Sequence, residues 1–404
     1  MLRYLISFAL ILIVTTTFAQ NNSQWRGENR DGKYPDTGLL KSWPVDGPKL
    51  LWHFDNLGEG HASAAVTKDV VYTSGTEGDN GFIVALDHTG NELWKSVYGK
   101  EWMDSYDGVR TTPMVNDGML YVYSGYGELV AMNASNGDKL WSKNMLDEFN
   151  GGNIRWGVTE NLLVDGDKLF CTPGGDEASM VALNKKDGSL IWKAKGNGDK
   201  SAYCSPAMVK LPNRSLLVTH TQNNIIGIDA DTGEFLWNVD FPNKYSIHPN
   251  TPIYKDGMIY CFTGYGKGGV MLNLSADGSS VAEVWRNETL DNQMGGAILL
   301  DGKIYGSGHS NRQWFCLDWK TGEQLFAAKM LSKGNVIYAD GMLYCYGDSG
   351  EIALVDVSED SFNKVSSFRV PYGQKQHWAH LVIHNKRLYV RHGNSLMIYS
   401  LKAN

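Results

Sequence analysis

From Lys49 onward, short apolar stretches alternate with pairs of turn residues, and the same order keeps returning. The clearest unit opens with Thr112-Pro113-Met114-Val115-Asn116, turns at Asp117-Gly118 and continues through Met119-Leu120-Tyr121. A turn at Gly125-Tyr126-Gly127 leads into Glu128-Leu129-Val130-Ala131-Met132-Asn133, and Asn136-Gly137 leads into Lys139-Leu140-Trp141. Asp-Gly between apolar runs signals a hairpin, because both residues tolerate the positive φ of a tight turn. Each unit therefore predicts four short antiparallel strands and three turns.

The closing aromatic recurs at Trp94, Trp141, Trp192, Trp237 and Trp285, and in weaker form at Phe326 and Phe368. The hairpin turn recurs at Asp165-Gly166, Asp256-Gly257, Asp301-Gly302 and Asp340-Gly341, and the last turn at Thr89-Gly90, Asp187-Gly188, Thr232-Gly233 and Thr321-Gly322. Eight opening hairpins start near Ser63, Thr111, Thr159, Ser205, Thr251, Gly296, Asn335 and His380. Four-stranded units at this spacing are propeller blades. The eighth ends at Leu396-Met397-Ile398-Tyr399 without a fourth strand, and Lys49-Leu50-Leu51-Trp52 has the form of the missing one. The chain thus predicts an all-β fold: an eight-bladed β-propeller of four-stranded antiparallel blades, the last closed by an N-terminal strand. Its single domain spans residues 20–404, with a lead-in over 20–48 and the closing strand over 49–54. The repeated Trp residues are expected to pack between neighbouring blades.

Composition adds boundaries. The 45 Gly suit a fold of many turns, and a net charge of −7 with no Lys/Arg run leaves no basic field for nucleic acid. Arg3, the apolar run Leu5 to Val14 and Thr17-Phe18-Ala19 read as an export signal over residues 1–19, with Gln20 the mature start. The run is short for a membrane span, no Cys follows it to carry a lipid, and no later segment could cross a bilayer. The protein is expected to be soluble and periplasmic or secreted. Cys171, Cys261 and Cys345 occupy one repeat slot, and Cys316 a slot that wants a small residue, so these four read as buried hydrophobes in separate blades. Cys204, beside Tyr203 at the channel mouth, reads either as inert or as a reactive thiol.

The ending Ala85-Leu86-Asp87-His88-Thr89-Gly90-Asn91-Glu92-Leu93-Trp94 resembles the repeat of pyrroloquinoline quinone (PQQ) type propellers, and the resemblance covers nearly the whole mature chain. Gln24-Trp25-Arg26-Gly27-Glu28-Asn29-Arg30-Asp31-Gly32 resembles the lead-in of an exported bacterial subgroup, before a strand here running Gly47 to Trp52. The resemblance implies eight blades. It leaves function open, since the repeat serves both quinoprotein dehydrogenases and non-catalytic proteins of outer-membrane assembly.

In a propeller, the loops leading into the inner strands rim one mouth of the channel. Here they carry His61, Asp107, Arg110, Arg155, Trp156, Tyr203, His248, Gln293, His377, Trp378 and His380. The arginines suit carboxylates, as on a tricarboxylate quinone or an acidic sugar, and Trp156 or Trp378 suits a flat ring or a sugar face. The candidate cofactor-binding set is therefore His61, Arg110, Arg155, Trp156, Tyr203, His248, Gln293, His377, Trp378 and His380, with Asp107 the candidate catalytic base. PQQ is the cofactor the resemblance implies. A Ca²⁺ beside it would draw on Glu59, Asp107, Asn153, Asn250 or Asn292, although no motif marks a calcium cage. The adjacent cysteines and haem motif of related dehydrogenases are absent from the sequence. No metal site is predicted, because His377 and His380 would alternate faces on a strand.

Three functions follow as alternatives. The first is an exported PQQ-binding quinoprotein, oxidising an alcohol or sugar in carbohydrate catabolism. The second is a non-catalytic scaffold for a protein or polysaccharide. The third is a carbohydrate lyase using Tyr203 and His248.

Overall fold

The computed structural model describes residues 22–152, 154–293 and 295–403. The export-signal reading lies outside these residues, as do Asn153 and Met294 of the mouth loops. Eight sheets follow one another along the chain. Their inner strands are Ala65–Val66, Met114–Asn116, Leu163–Asp165, Ala207–Lys210, Ile253–Lys255, Ala297–Leu300, Gly334–Ala339 and Val382–His384, and these number the blades one to eight. Leu50–Phe54 pairs antiparallel with Ser395–Ser400, Leu50 opposite Tyr399 and Phe54 opposite Leu396, and so gives the eighth blade its outer strand. Among the described residues the one α-helix is Met145–Glu148, and no helix is long and apolar enough to cross a membrane.

Blades are fastened to one another by the recurring tryptophans. The Trp192 indole donates to Ala230 O of the following blade at 3.2 Å, and its ring covers the turn at Gly233. Trp52, Trp141, Trp237 and Trp285 donate in the same way to the carbonyls of His88, Lys185, Gly278 and Trp319. The turn glycine is needed twice over: Gly233 has φ +76°, and a Cβ there would lie 2.7 Å from the Trp192 ring. Gly233→Ala is therefore expected to cost about 2–3 kcal/mol in urea unfolding, against about 1–2 kcal/mol for Gly257→Ala. Gly257 also has positive φ, but open space surrounds its position.

The lead-in has a part that the repeat pattern did not reveal: it is folded into the channel. Ser23 bridges to Val115 of the second blade, and Lys33–Tyr34 runs parallel to the seventh blade's inner strand, Lys33 opposite Tyr338. Between these points the guanidinium of Arg30 donates to Leu162 O (2.6 Å) and Asn161 O (2.7 Å) of the third blade. Arg26 reaches Ala297 O (3.0 Å) and Val336 O (3.2 Å) of the sixth and seventh blades. Inner strands turn an unpaired edge to the channel, and the arginine forks supply the donors that their carbonyls lack.

Candidate functional site

Above this plug, the mouth loops enclose a cavity of about 420 Å³. Trp25 of the plug lines it together with Tyr106, Trp156, Tyr203, Tyr245, Tyr265 and Trp378. The polar lining comes from His61, Arg110, Thr112, Thr159, Asn161, Ser205, Gln293 and His380. The volume falls in the range of about 300–1,000 Å³ usual for small-ligand sites.

The aromatic walls are held in costly backbone conformations. Tyr106, Tyr203 and Tyr265 have φ of 53°, 69° and 63°. Bulky residues rarely adopt this region, and such strain gathers where a side chain must be aimed. The Tyr203 hydroxyl accepts from the Trp156 amide at 2.7 Å, and the Tyr265 hydroxyl accepts from Gln293 at 2.7 Å. Trp378 lies 5.1 Å from Tyr106 and 4.8 Å from His61, its plane tilted 40° and 45° to theirs.

Among the described residues, Arg110 is the one Lys or Arg side chain on the lining, and no carboxylate shares the lining with it. Its Nη2 donates to Ser105 O (3.0 Å) and Tyr106 O (2.7 Å), while its buried Nε meets no acceptor. Two more cations stand just behind the wall. Lys333 holds Gln293 Oε1 at 2.6 Å, and Arg26 donates to His380 Nδ1 at 3.0 Å. Since a guanidinium can only donate, His380 carries its proton on Nε2. Burial and the nearby charge of Arg110 push His61 down to about 3, so it is neutral at physiological pH.

Other expected site residues lie elsewhere. Asp107, the candidate base, is paired with Lys375 Nζ at 2.8 Å, and Lys375 also approaches Glu59 at 3.4 Å, which ties three mouth loops together outside the cavity. Arg155 is exposed, 5.0 Å from the Trp156 ring centre, and stays off the lining. His377 bonds the Tyr346 hydroxyl at 2.6 Å and stacks on His392 off the lining, whereas His380 is on it; both lie in the loop before the inner strand Val382–His384 and not on a strand as expected. His248 is fully buried against His220, with Nε2 3.3 Å from Gln222 O. The proposed Tyr203–His248 pair is thus not assembled, because each group is engaged with a different neighbour. Cys204 is buried with its thiol against Asn250 O, and burial raises it to about 11, which favours the inert reading. All five cysteines are free and buried.

The sequence reading missed Trp25, Tyr106, Tyr245 and Tyr265. Tyr106 adjoins Asp107 and Tyr245 lies three residues before His248, both of which it did single out. Tyr265 sits in the Gly264–Gly269 hairpin of the fifth blade, which leans over the mouth.

The fold and this mouth define the class of protein, a PQQ-type propeller. The chain belongs to that family: the model described as outer membrane protein assembly factor BamB matches residues 45–142, 79–211 and 205–293. Among curated relatives, quinoprotein ethanol dehydrogenase of Pseudomonas aeruginosa is 30% identical over 156 residues, 36% of this chain and 24% of that protein. Outer membrane protein assembly factor BamB of Shewanella oneidensis is 23% identical over 65% of this chain and 67% of its own. The chain therefore spans about a quarter of the dehydrogenase and two thirds of the assembly factor. Quinohemoprotein alcohol dehydrogenase of Comamonas testosteroni superimposes with a TM-score of 0.67 at 12% identity, covering 96% of this chain and 81% of that one.

Proposed function

We propose that the protein is an exported propeller that holds a small ring-shaped ligand in the mouth cavity. The observation that carries this reading is the cavity itself: strained tyrosines and indoles from several blades face one guanidinium across a pocket floored by the plug. Enclosed, mostly apolar pockets with a few convergent polar groups are the usual form of a ligand site. The Arg3-to-Ala19 pattern supports export.

The calcium-bound quinone of the related dehydrogenases fits this cavity poorly. A tricarboxylate would meet a single lining guanidinium, and its calcium would find no lining carboxylate. Among the described residues, no three His, Cys, Asp or Glu side chains gather to hold a metal. The one candidate base, Asp107, is tied to Lys375. Binding rather than quinone-dependent oxidation is the function these residues favour, and a protein partner on the outer faces is compatible with it.

The test is thermal unfolding of the full chain against neutral and acidic sugars and against PQQ with and without Ca²⁺. A saccharide is expected to raise the unfolding temperature, and Trp378→Ala to remove that rise. Stabilisation by PQQ with Ca²⁺ alone, with reduction of a dye on adding alcohol, would replace this reading with the quinoprotein one.

A further inference from the structure

We infer that the mouth cavity is shaped for a sugar ring bearing one carboxylate, a uronic-acid residue. This inference rests on the ligand-site reading above and narrows it to a chemical class.

Charge sets the first condition. Arg110 is locked by the Ser105 and Tyr106 carbonyls, has a buried Nε without an acceptor, and shares the lining with no acid. Of the two acids whose charge acts on it, Glu101 is committed to the Tyr98 hydroxyl, Trp102 N and Gly125 N, and Asp107 to Lys375. A desolvated guanidinium with no lining counter-ion favours an anionic guest, and a single such group matches a single carboxylate.

Hydrogen bonding sets the second. The Tyr203, Tyr265 and Ser205 hydroxyls each accept a bond from the protein, Ser205 Oγ from Asn161 N at 2.9 Å. Each therefore keeps its own hydrogen to donate into the cavity. Spread donors of this kind suit the ring and hydroxyl oxygens of a sugar rather than an apolar aromatic acid.

Shape sets the third. Trp378 and Tyr106 meet at 40°, so the walls form an angled platform and not a parallel slot. A pyranose lays C–H groups against such faces, whereas a flat tricyclic quinone asks for parallel walls.

The experiment is calorimetric titration of the full chain with galacturonate, digalacturonate, their methyl esters and galactose. The free acids are expected to bind at least about tenfold more tightly than the esters, a gap worth about 1.4 kcal/mol. Arg110→Gln should erase that preference, Arg110→Lys should keep part of it, and Trp378→Ala should weaken acid and ester alike. Equal binding of acid and ester, or an acid preference that survives Arg110→Gln, overturns the uronate inference and leaves the cavity reading standing. Saccharide affinities that Trp378→Ala leaves unchanged, or no binding by any of these sugars, overturn both.

Discussion

Arg26→Ala is expected to lower the unfolding free energy by about 3–5 kcal/mol, the largest effect of any single substitution outside the blades. Arg26 is 3% exposed, and burial lowers it to about 10, so it stays charged at neutral pH. It donates to Ala297 O and His380 Nδ1 at 3.0 Å each, with longer contacts to Val336 O and Asp31 O. A hydrogen bond to a charged group contributes about 1.5–3 kcal/mol, and the abandoned carbonyls face a channel filled by protein. Alanine would also release His380 and the neighbouring Trp25, so ligand affinity should fall with stability. Circular dichroism should still report a β-propeller, because the inter-blade tryptophans are untouched. A urea midpoint equal to wild type would show that the plug is not fastened through this guanidinium.

The second large effect is loss of stability in acid. His220 and His248 are both fully buried and stacked 5.1 Å apart with their planes within 3°. Neither His220 nitrogen has a partner, and His248 has only Gln222 O. Burial pushes His248 down to about 4 and His220 well below its ordinary 6.5, with Lys267 acting in the same direction on His248 and Asp199 against it. Below pH 6.5 the unfolded chain takes up protons that the folded chain refuses. The stability is thus complete above that value and is lost as pH falls toward 4, at about 1.4 kcal/mol per pH unit for each group. Glu160 opposes one of them. Burial raises it to about 8, so the folded state holds a proton that the unfolded state releases above 4.5, and its contribution shrinks from pH 4.5 to 8. Burial raises Glu101 as well, so two carboxyls stand against four depressed imidazoles, His220, His248, His61 and His377, and the balance is a net loss between pH 6.5 and 4.5. His220→Phe removes two orphaned nitrogens beside Phe241, so it should be neutral or stabilising at pH 7. It should also flatten the acid slope by about one group's share. Urea midpoints from pH 7 to 4.5 read both effects, and a wild-type midpoint that does not fall would refute them.

What the sequence made legible was whatever repeats. Asp-Gly turns and closing tryptophans mark each blade because every blade solves the same packing problem. Leu50–Phe54 was recognisable as an outer strand for that reason. The plug was not, because its buried apolar residues, Trp25 and Tyr34, belong to no repeat. Arg26 and Arg30 serve carbonyl edges, and arginine in a polar, Gly-rich stretch reads as a solvated loop. At the mouth, loop position was enough to bring His61, Arg110, Trp156, Tyr203, Gln293, Trp378 and His380 to one cavity. Side-chain direction within a loop has no periodicity to read. His248 and His377 therefore turned out to face buried imidazole stacks, and Asp107 an ion pair.

The central claim is that the cavity above Trp25 is where this protein meets its ligand. Hydrogen exchange of the full chain, with and without saturating digalacturonate, tests it most directly. Slowed exchange confined to the lining segments, residues 24–26, 105–112, 156–161, 203–205, 245–249, 264–266 and 376–380, is the expected result. Protection on the outer strands of the blades, with these segments unchanged, would contradict it.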